Sequence, residues 1–495
     1  MKEVRRYILE QVASGSLDKE KAAKMLMELY DYVLSENSVK EEISISETED
    51  LDKSNHSDFE DIIKDSQEKE YYPMLPSQKM ILLHQFMKRD TAYNIPRVLF
   101  LEGDVDEEKI NDTFKTIVER HHALRTSFHL HHGEYMQKIN GVSDFSIESV
   151  EGDEKNIEDD IRSFVRSFQL DKAPLFRVRL IKYDSKKYVL LMDIHHIISD
   201  RKSIVVLMNE FQQLYQGIEP VKMEVHYEHY VEWYNNFLKS DIGLSKEKYW
   251  LEQFDDGKMS TELKTDFSKE GIRKYTEKSL YHEFQDDYRD KLLQFCSSNG
   301  VTLNMLMLSV YHVLLWKWLG KDDLVTGLSC QGRTIKEAYN MIGMFVNTLA
   351  IRNYPSGEKK YFDFLNETKE ILLNAYSNQE YPFDVLTDKI RQKSKIKDKS
   401  LINTLFIMQN TDYGELELGD IRVKPYHDYI ETDGRFDLQI NIFNSSEKHL
   451  NICFIYSKEL FKEETIKTLL NEYISILKQV VEEPEKLLNN LDINL

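Results

Sequence analysis

Cysteine is scarce: Cys296, Cys330 and Cys453 are the only three in 495 residues. So few, so scattered, exclude a disulfide framework or a zinc ribbon and suit a reducing, cytoplasmic setting. Positive charge is also short. Lys and Arg number 65 against 86 Asp and Glu, a net charge of −21. That balance argues against a nucleic-acid partner, which favours a basic face, but leaves room for an acidic protein partner at a local basic patch. Long apolar runs are missing. The N-terminal MKEVRRYILEQVASGSL has no secretory core. The most apolar segment, 301–319, is interrupted by Asn304, Ser309, His312 and Lys317, so it reads as a buried core helix and not a membrane span. There is no Gly-x-Ser-x-Gly elbow, no phosphate loop, no Cys–His pairing at a telling spacing and no internal repeat.

What is present is an ordinary globular composition, 41% hydrophobic and 31% charged. The length exceeds what one core usually fills, so two folded lobes are expected. Residues 1–35 read as two short amphipathic helices broken at Gly15, with Asp18 as a cap. Two such helices need a partner to fold firmly, so they are either a simple extension or a docking element. Residues 36–70 are acidic and Ser-rich and read as a linker. The folded body starts near Tyr71. Strands are expected at 97–101, 175–183 and 187–194, the last two as a hairpin, and helices at 105–119, with Asp106 as a possible cap, 204–215, 226–239 and 245–254. A second series supplies helices at 287–296, 302–318, 361–377 and 463–482, and strands at 275–284, 324–329, 401–409, 421–426, 435–443 and 450–456. Strands and helices mix in both halves, so the class is α/β (α+β). The lobes divide as 71–250 and 251–495.

The chemistry concentrates in His195-His196-Ile197-Ile198-Ser199-Asp200-Arg201, where the strand 188–194 runs out into a helix. Successive side chains of a strand point to opposite faces. One histidine therefore faces a reaction site while the other packs behind it. A neutral imidazole is the usual base for an amine or alcohol attacking an acyl group. Asp200 has three readings: a cap for the helix beginning near Ser203, an orienter of an imidazole, or the partner of an arginine. A packed or surface pair of histidines is the plain alternative. As metal ligands His196 and Asp200 lack a convincing third and fourth partner, so no metal is expected.

The box has companions in order along the chain. Leu75-Pro76-Ser77-Gln78-Lys79-Met80, Arg120 to Phe128, Met192 to Ser203, Tyr227 to Trp233, Ile342 to Thr348 and Asn378 to Asp384 together resemble the ordered motifs of the condensation domains of nonribosomal peptide synthetases, relatives of chloramphenicol acetyltransferase. The resemblance spans about residues 71–490. Departures are His229 and Asp384 in place of the pattern's acids, a degraded Lys397-Asp398-Lys399-Ser400-Leu401, and Arg201 where the pattern has glycine.

The resemblance implies two chloramphenicol-acetyltransferase-like lobes in a V-shaped pseudo-dimer with a central tunnel. Carrier proteins would bring donor and acceptor phosphopantetheine thioesters to its two ends, with no cofactor bound by the chain itself. It implies His196 as the tunnel-facing catalytic histidine, beside His195, with Asp200 mainly structural. Arg201, Ser203 and Asn347 would line or gate the tunnel. Arg125, Gly343 and Asp437 would be structural, Gly343 at the floor of the lobe crossing and Asp437 near the lobe contact. Residues 1–35 resemble segments that pair assembly-line subunits. The expected activity is amide formation between a carrier-bound acyl or peptidyl group and an amine. Ester-forming or chain-releasing transfer and a non-catalytic recruiting domain are the alternatives. Arg201 would either point to solvent, narrow the tunnel, or pair with Asp200 or a phosphate.

Overall fold

The computed structural model describes residues 69–494, save 89, 143–144, 257–260, 270–275, 395–400, 410–415, 427–435 and 445–449. The expectations for 1–35, for most of 36–70, and for Lys397 to Ser400 and Arg435 fall outside the described residues.

The first part of the chain runs β1 (Tyr71–Tyr72), α1 (Pro76–Lys88), β2 (Asn94–Glu102), α2 (Glu107–Arg120), β3 (Thr126–His131), β4 (Glu134–Ile139), β5 (Glu148–Glu151), α3 (Ile157–Phe164), β6 (Phe176–Lys182), β7 (Lys187–His195), α4 (Arg201–Tyr215), α5 (Tyr227–Phe237) and α6 (Asp241–Glu252). The second part runs β8 (Glu277–Phe284), α7 (Asp286–Asn299), α8 (Leu303–Leu319), β9 (Leu324–Cys330), β10 (Asn347–Asn353), α9 (Tyr361–Ser377), α10 (Phe383–Ser394), β11 (Thr404–Gln409), β12 (Glu417–Leu418), β13 (Ile421–Pro425), β14 (Leu438–Asn444), β15 (Leu450–Ser457) and α11 (Glu463–Glu482). The α/β class is what the alternation of elements called for.

Two six-stranded sheets carry the molecule, ordered β12-β13-β2-β7-β6-β5 and β10-β9-β11-β14-β15-β8. In the first, β7 lies between β2 and β6, antiparallel to both. That sheet is completed from far along the chain: β13 pairs with β2, Arg422 opposite Glu102. Ile335, Met341, Ile342, Met344 and Phe345 likewise join the first hydrophobic core. The two parts of the sequence are therefore interleaved where the histidine box sits.

Local signals explain the helices. Asp106 caps α2, accepting the Lys109 N–H, and Ile110, Phe114, Ile117 and Val118 turn inward. Thr302 caps α8 in the same way. That helix is buried on nearly every side within the second core, which is why its apolar run is continuous. Gly320 ends it with φ +64°, a left-handed conformation that a side chain would resist. Among the described residues no helix is long and apolar enough to cross a membrane.

Strand β7 is buried on both faces. Tyr188, Leu190, Met192 and Ile194 face the first core. Val189 and Leu191 face a smaller core with Ile161 and Phe164 of α3. Each such side chain, fully buried, stabilises the fold by about 1.5–3 kcal/mol. By the same alternation Asp193 and His195 continue the second face, where the apolar row gives way to polar groups.

Candidate active site

The box forms where β7 ends. His195 closes the strand, His196–Ile198 makes one 3₁₀ turn, and α4 begins at Arg201. His195 is fully buried, and its Nδ1 accepts the Ile197 N–H at 3.2 Å. That bond places its proton on Nε2. Burial first, then the neighbouring His196, Arg177 and His84, push its pKa down to about 3, so the ring stays neutral.

His196 is half-buried and holds the opposite tautomer. Its Nδ1 lies 2.8 Å from the Ser199 carbonyl oxygen, which can only accept, so Nδ1 carries the proton and Nε2 the basic lone pair. The His196 N–H donates to the Tyr93 carbonyl at 2.7 Å. Gln78 of α1 donates to the Ile197 carbonyl at 2.9 Å and so pins the turn from below. The Ser/Gln box at the start of the folded body thus supports the histidine turn.

Asp200 is buried and fulfils two of its three readings at once. Its Oδ1 accepts the Ser203 N–H at 2.7 Å, capping α4, and Arg333 Nη2 at 2.8 Å; its Oδ2 accepts the Phe345 N–H at 3.2 Å. The ion-pair partner is Arg333, from the second part of the chain, where the sequence offered Arg201. Arg333 also donates to the Ala338 and Met341 carbonyls and lies 4.0 Å from the centre of the Phe345 ring. No local spacing could reveal this partner. The only signal was the need of a buried carboxylate for a cation.

Ser203 Oγ sits 2.7 Å from Asp200 Oδ1 and 2.8 Å from the Gly343 carbonyl, and accepts the Gly343 N–H at 3.0 Å. Gly343 is obligatory on steric grounds: a Cβ there would lie 2.1 Å from Tyr227 Cδ2. Tyr227 in turn donates to the Met344 carbonyl at 2.6 Å. Ser203 and Gly343 therefore tie α4 and α5 to the loop that follows Arg333. Arg201 is the first residue of α4, and its backbone is not left-handed; the one positive φ outside glycine among the described residues is His132. The glycine of the pattern is not required here for conformation. Lys202 beside it is half-buried; burial first, then the charge of Arg333, lower its pKa.

The remaining residues lie apart from the histidines in their contacts. Asn347 donates to the Gln379 and Tyr381 carbonyls at 2.8 and 2.7 Å and accepts the Phe383 N–H at 3.1 Å, holding the start of α10. Arg125 donates to the Asn140 carbonyl at 2.5 Å, bracing the β3–β4 hairpin. Asp437 pairs with Lys269 at 2.5 Å, and its N–H donates to the Asn403 carbonyl at 3.1 Å, contacts within the second part of the chain. No group of three or more metal-ligating side chains occurs among the described residues.

Two mixed sheets carry the fold, and the histidine turn stands at the end of a central strand of the first. The family model for the condensation domain matches residues 68–494, and the chain belongs to that family. It is 35% identical over 425 residues to tyrocidine synthase 3 of Brevibacillus parabrevis, covering 86% of this chain and 6% of that one. To bacitracin synthase 2 of Bacillus licheniformis it is 34% identical over 435 residues, 87% of this chain and 16% of the other. The chain thus spans a small part of these relatives. Solved structures with the same fold include the X-domain from teicoplanin biosynthesis, with TM-score 0.77, 18% identity, and 87% and 99% of the two chains covered. The condensation domain from the Monacolin K polyketide synthase follows at TM-score 0.73, 17% identity, and 84% and 99% covered.

Proposed function

We propose that the protein is an acyltransferase that joins a carrier-bound acyl or peptidyl thioester to an acceptor amine, forming an amide. The observation that carries this reading is the fixed tautomer of His196, Nδ1–H on the Ser199 carbonyl and the lone pair on Nε2. In the reaction the amine attacks the thioester carbonyl and forms the C–N bond. Nε2 accepts the proton the nitrogen sheds. The tetrahedral intermediate expels the phosphopantetheine thiolate, which takes the proton back. An alcohol acceptor would depend on the base more than a neutral amine does, so ester formation is the runner-up within this chemistry.

Carrier proteins are the partners this chemistry requires, with phosphopantetheine arriving as part of the substrate. A tunnel reaching His196 from two sides, with Arg201, Ser203 and Asn347 along it, belongs to this proposal. So does subunit docking through residues 1–35. Exposed apolar side chains beside the turn, Leu83, Phe86 and Met87 of α1 with Leu130 and Tyr135 of the hairpin, support a protein partner covering this face. Three buried thiols, Cys296, Cys330 and Cys453, support work in a reducing compartment.

The test is transfer from an acylated carrier to amine and alcohol acceptors, read by mass spectrometry. His196→Ala should slow transfer by about 10²–10⁴-fold. Equal product from variant and wild type would remove His196 from catalysis. A second reading, a recruiting domain without turnover, is favoured by the shared fold with the X-domain that is solved in complex with OxyB. Carrier binding without product over a broad acceptor panel would select it.

A further inference from the structure

The second face of the first sheet carries a buried polar group that the acyl-transfer reading does not use. Asp193 lies two residues before His195 on β7 and is fully buried. Its Oδ2 accepts Asn94 Nδ2 at 2.8 Å and lies 3.6 Å from Arg177 Nε. The register places both donors: Asn94 of β2 stands opposite His195, and Arg177 of β6 stands opposite Asp193. Directly opposed residues share a face with Cβ atoms about 4.5–5.5 Å apart, so Asn94 neighbours the His195 ring.

Arg177 reaches His195 by a second route. Its guanidinium lies 3.6 Å from the centre of the Phe168 ring, and Phe168 meets the His195 ring edge to face at 5.8 Å. The loop bearing Phe168 is held by the same residues. Arg177 Nη2 and Asn94 Nδ2 both donate to the Arg166 carbonyl, at 2.9 and 3.0 Å, and Gln85 donates to Ser167 at 2.7 Å. Asp193 is therefore the shared anchor of two walls around His195. His195 in turn accepts the Ile197 N–H and so shapes the turn that presents His196.

We infer that Asp193 is a positioning residue of this site: through Asn94 and Arg177 it fixes His195, and it balances the Arg177 charge next to the two histidines. The role rests on the acyltransferase reading for its consequence, not for its geometry. Asp193 Oδ1, Asn94 Oδ1 and His195 Nε2 are buried with no hydrogen-bond partner among the described residues. A stretch of three costly polar groups on one face is tolerated where function, not stability, has set the residues. Burial first pushes the Asp193 carboxyl up to about 7, against the pull of Arg177, Asn94 and Arg166, so it balances Arg177 as a charge above that pH and as a hydrogen-bonding group below it. The charged and titratable groups around the pair are Arg166, Arg177, His84 and His196.

The experiment is an NMR titration of the His196 imidazole in the full chain, its signal assigned by its loss in His196→Ala. Above pH about 7, where Asp193 is ionised, Asp193→Asn leaves Arg177 unbalanced and should pull the upper part of the His196 titration to lower pH, by less than about one unit in its midpoint. The double variant Arg177→Gln with Asp193→Asn removes both charges and should bring the titration back toward wild type. Asp193→Glu keeps the charge and should titrate as wild type. An unchanged titration in a folded Asp193→Asn, or an equal shift in Asp193→Glu, would overturn the inference. Should Asp193→Asn not fold, Arg177→Gln decides it: removing the cation while Asp193 stays should raise the His196 pKa, and an unchanged titration overturns the inference. Wild-type protein that transfers to no acceptor would instead overturn the acyltransferase reading, while the titration still decides Asp193.

Discussion

Two adjacent histidines hold opposite tautomers because one ends a strand and the other begins a turn. The Ile197 N–H fills Nδ1 of His195, while the Ser199 carbonyl takes the proton on Nδ1 of His196. Neither bond needs a carboxylate, so Asp200 is released for the cap and for Arg333. Arg201 is the residue at which the sequence departed from the family pattern. As the first residue of α4 with an ordinary backbone, it fits without strain. Arg201→Gly should therefore cost no more than about 1 kcal/mol in chemical unfolding. Any larger change in acceptor range would report the side chain itself. A gain in stability would show that the arginine is strained.

At the scale of elements, the site is a junction of the β7 end, the 3₁₀ turn, the start of α4 and the loop from Arg333 to Asn347. Gly343 is its tightest point. Gly343→Ala must move Tyr227 and with it the start of α5, since their atoms would stand 2.1 Å apart. Such overpacking costs about 1–3 kcal/mol, measurable as a lower denaturation midpoint with the slope unchanged. Wild-type stability would mean that α5 slides without penalty.

Much at this scale was legible. The helices expected at 105–119, 302–318 and 463–482 are found with ends that agree within a residue or two. The hairpin β6–β7 was legible from its alternation. The β3–β4 hairpin was not, because Thr126–His131 and Glu134–Ile139 are rich in polar residues and show no clear apolar face, even though Thr126, Ser127 and Phe128 are buried. Helix α6 starts at Asp241, earlier than its apolar pattern, because Ser240 caps it through the Gly243 N–H.

For the whole molecule, buried titratable groups set the pH dependence of stability. Burial is the chief cause that lowers His195 and His312 to about 3 and His226 to about 4. The folded state then binds fewer protons than the unfolded one, so their contribution is present above pH about 6.5 and lost as pH falls toward 4 and 3. Glu210 and Glu228 act in the same direction: against the upward push of burial, hydrogen bonds from His121 and Arg120, and from His122, hold them low. Asp193, raised to about 7, opposes them: its contribution is present at low pH and lost as pH rises through 7. The melting temperature should fall between pH 6.5 and 4. His226→Gln should flatten that fall and Asp193→Asn should steepen it. A flat wild-type profile would contradict the burial of these groups.

The sequence by itself determined the α/β class, most helices, the strand that runs out into His195 and His196, and, through its ordered motifs, the family. These are local properties, carried by periodicity, capping chemistry and short spacings. Only the tertiary structure decided that Arg333 and not Arg201 neutralises Asp200, that β12 and β13 complete the first sheet, and that Asp193, Asn94 and Arg177 surround His195. Those pairings join residues distant along the chain. A buried charge or an open sheet edge states that a partner is needed, and packing alone chooses which residue meets the need.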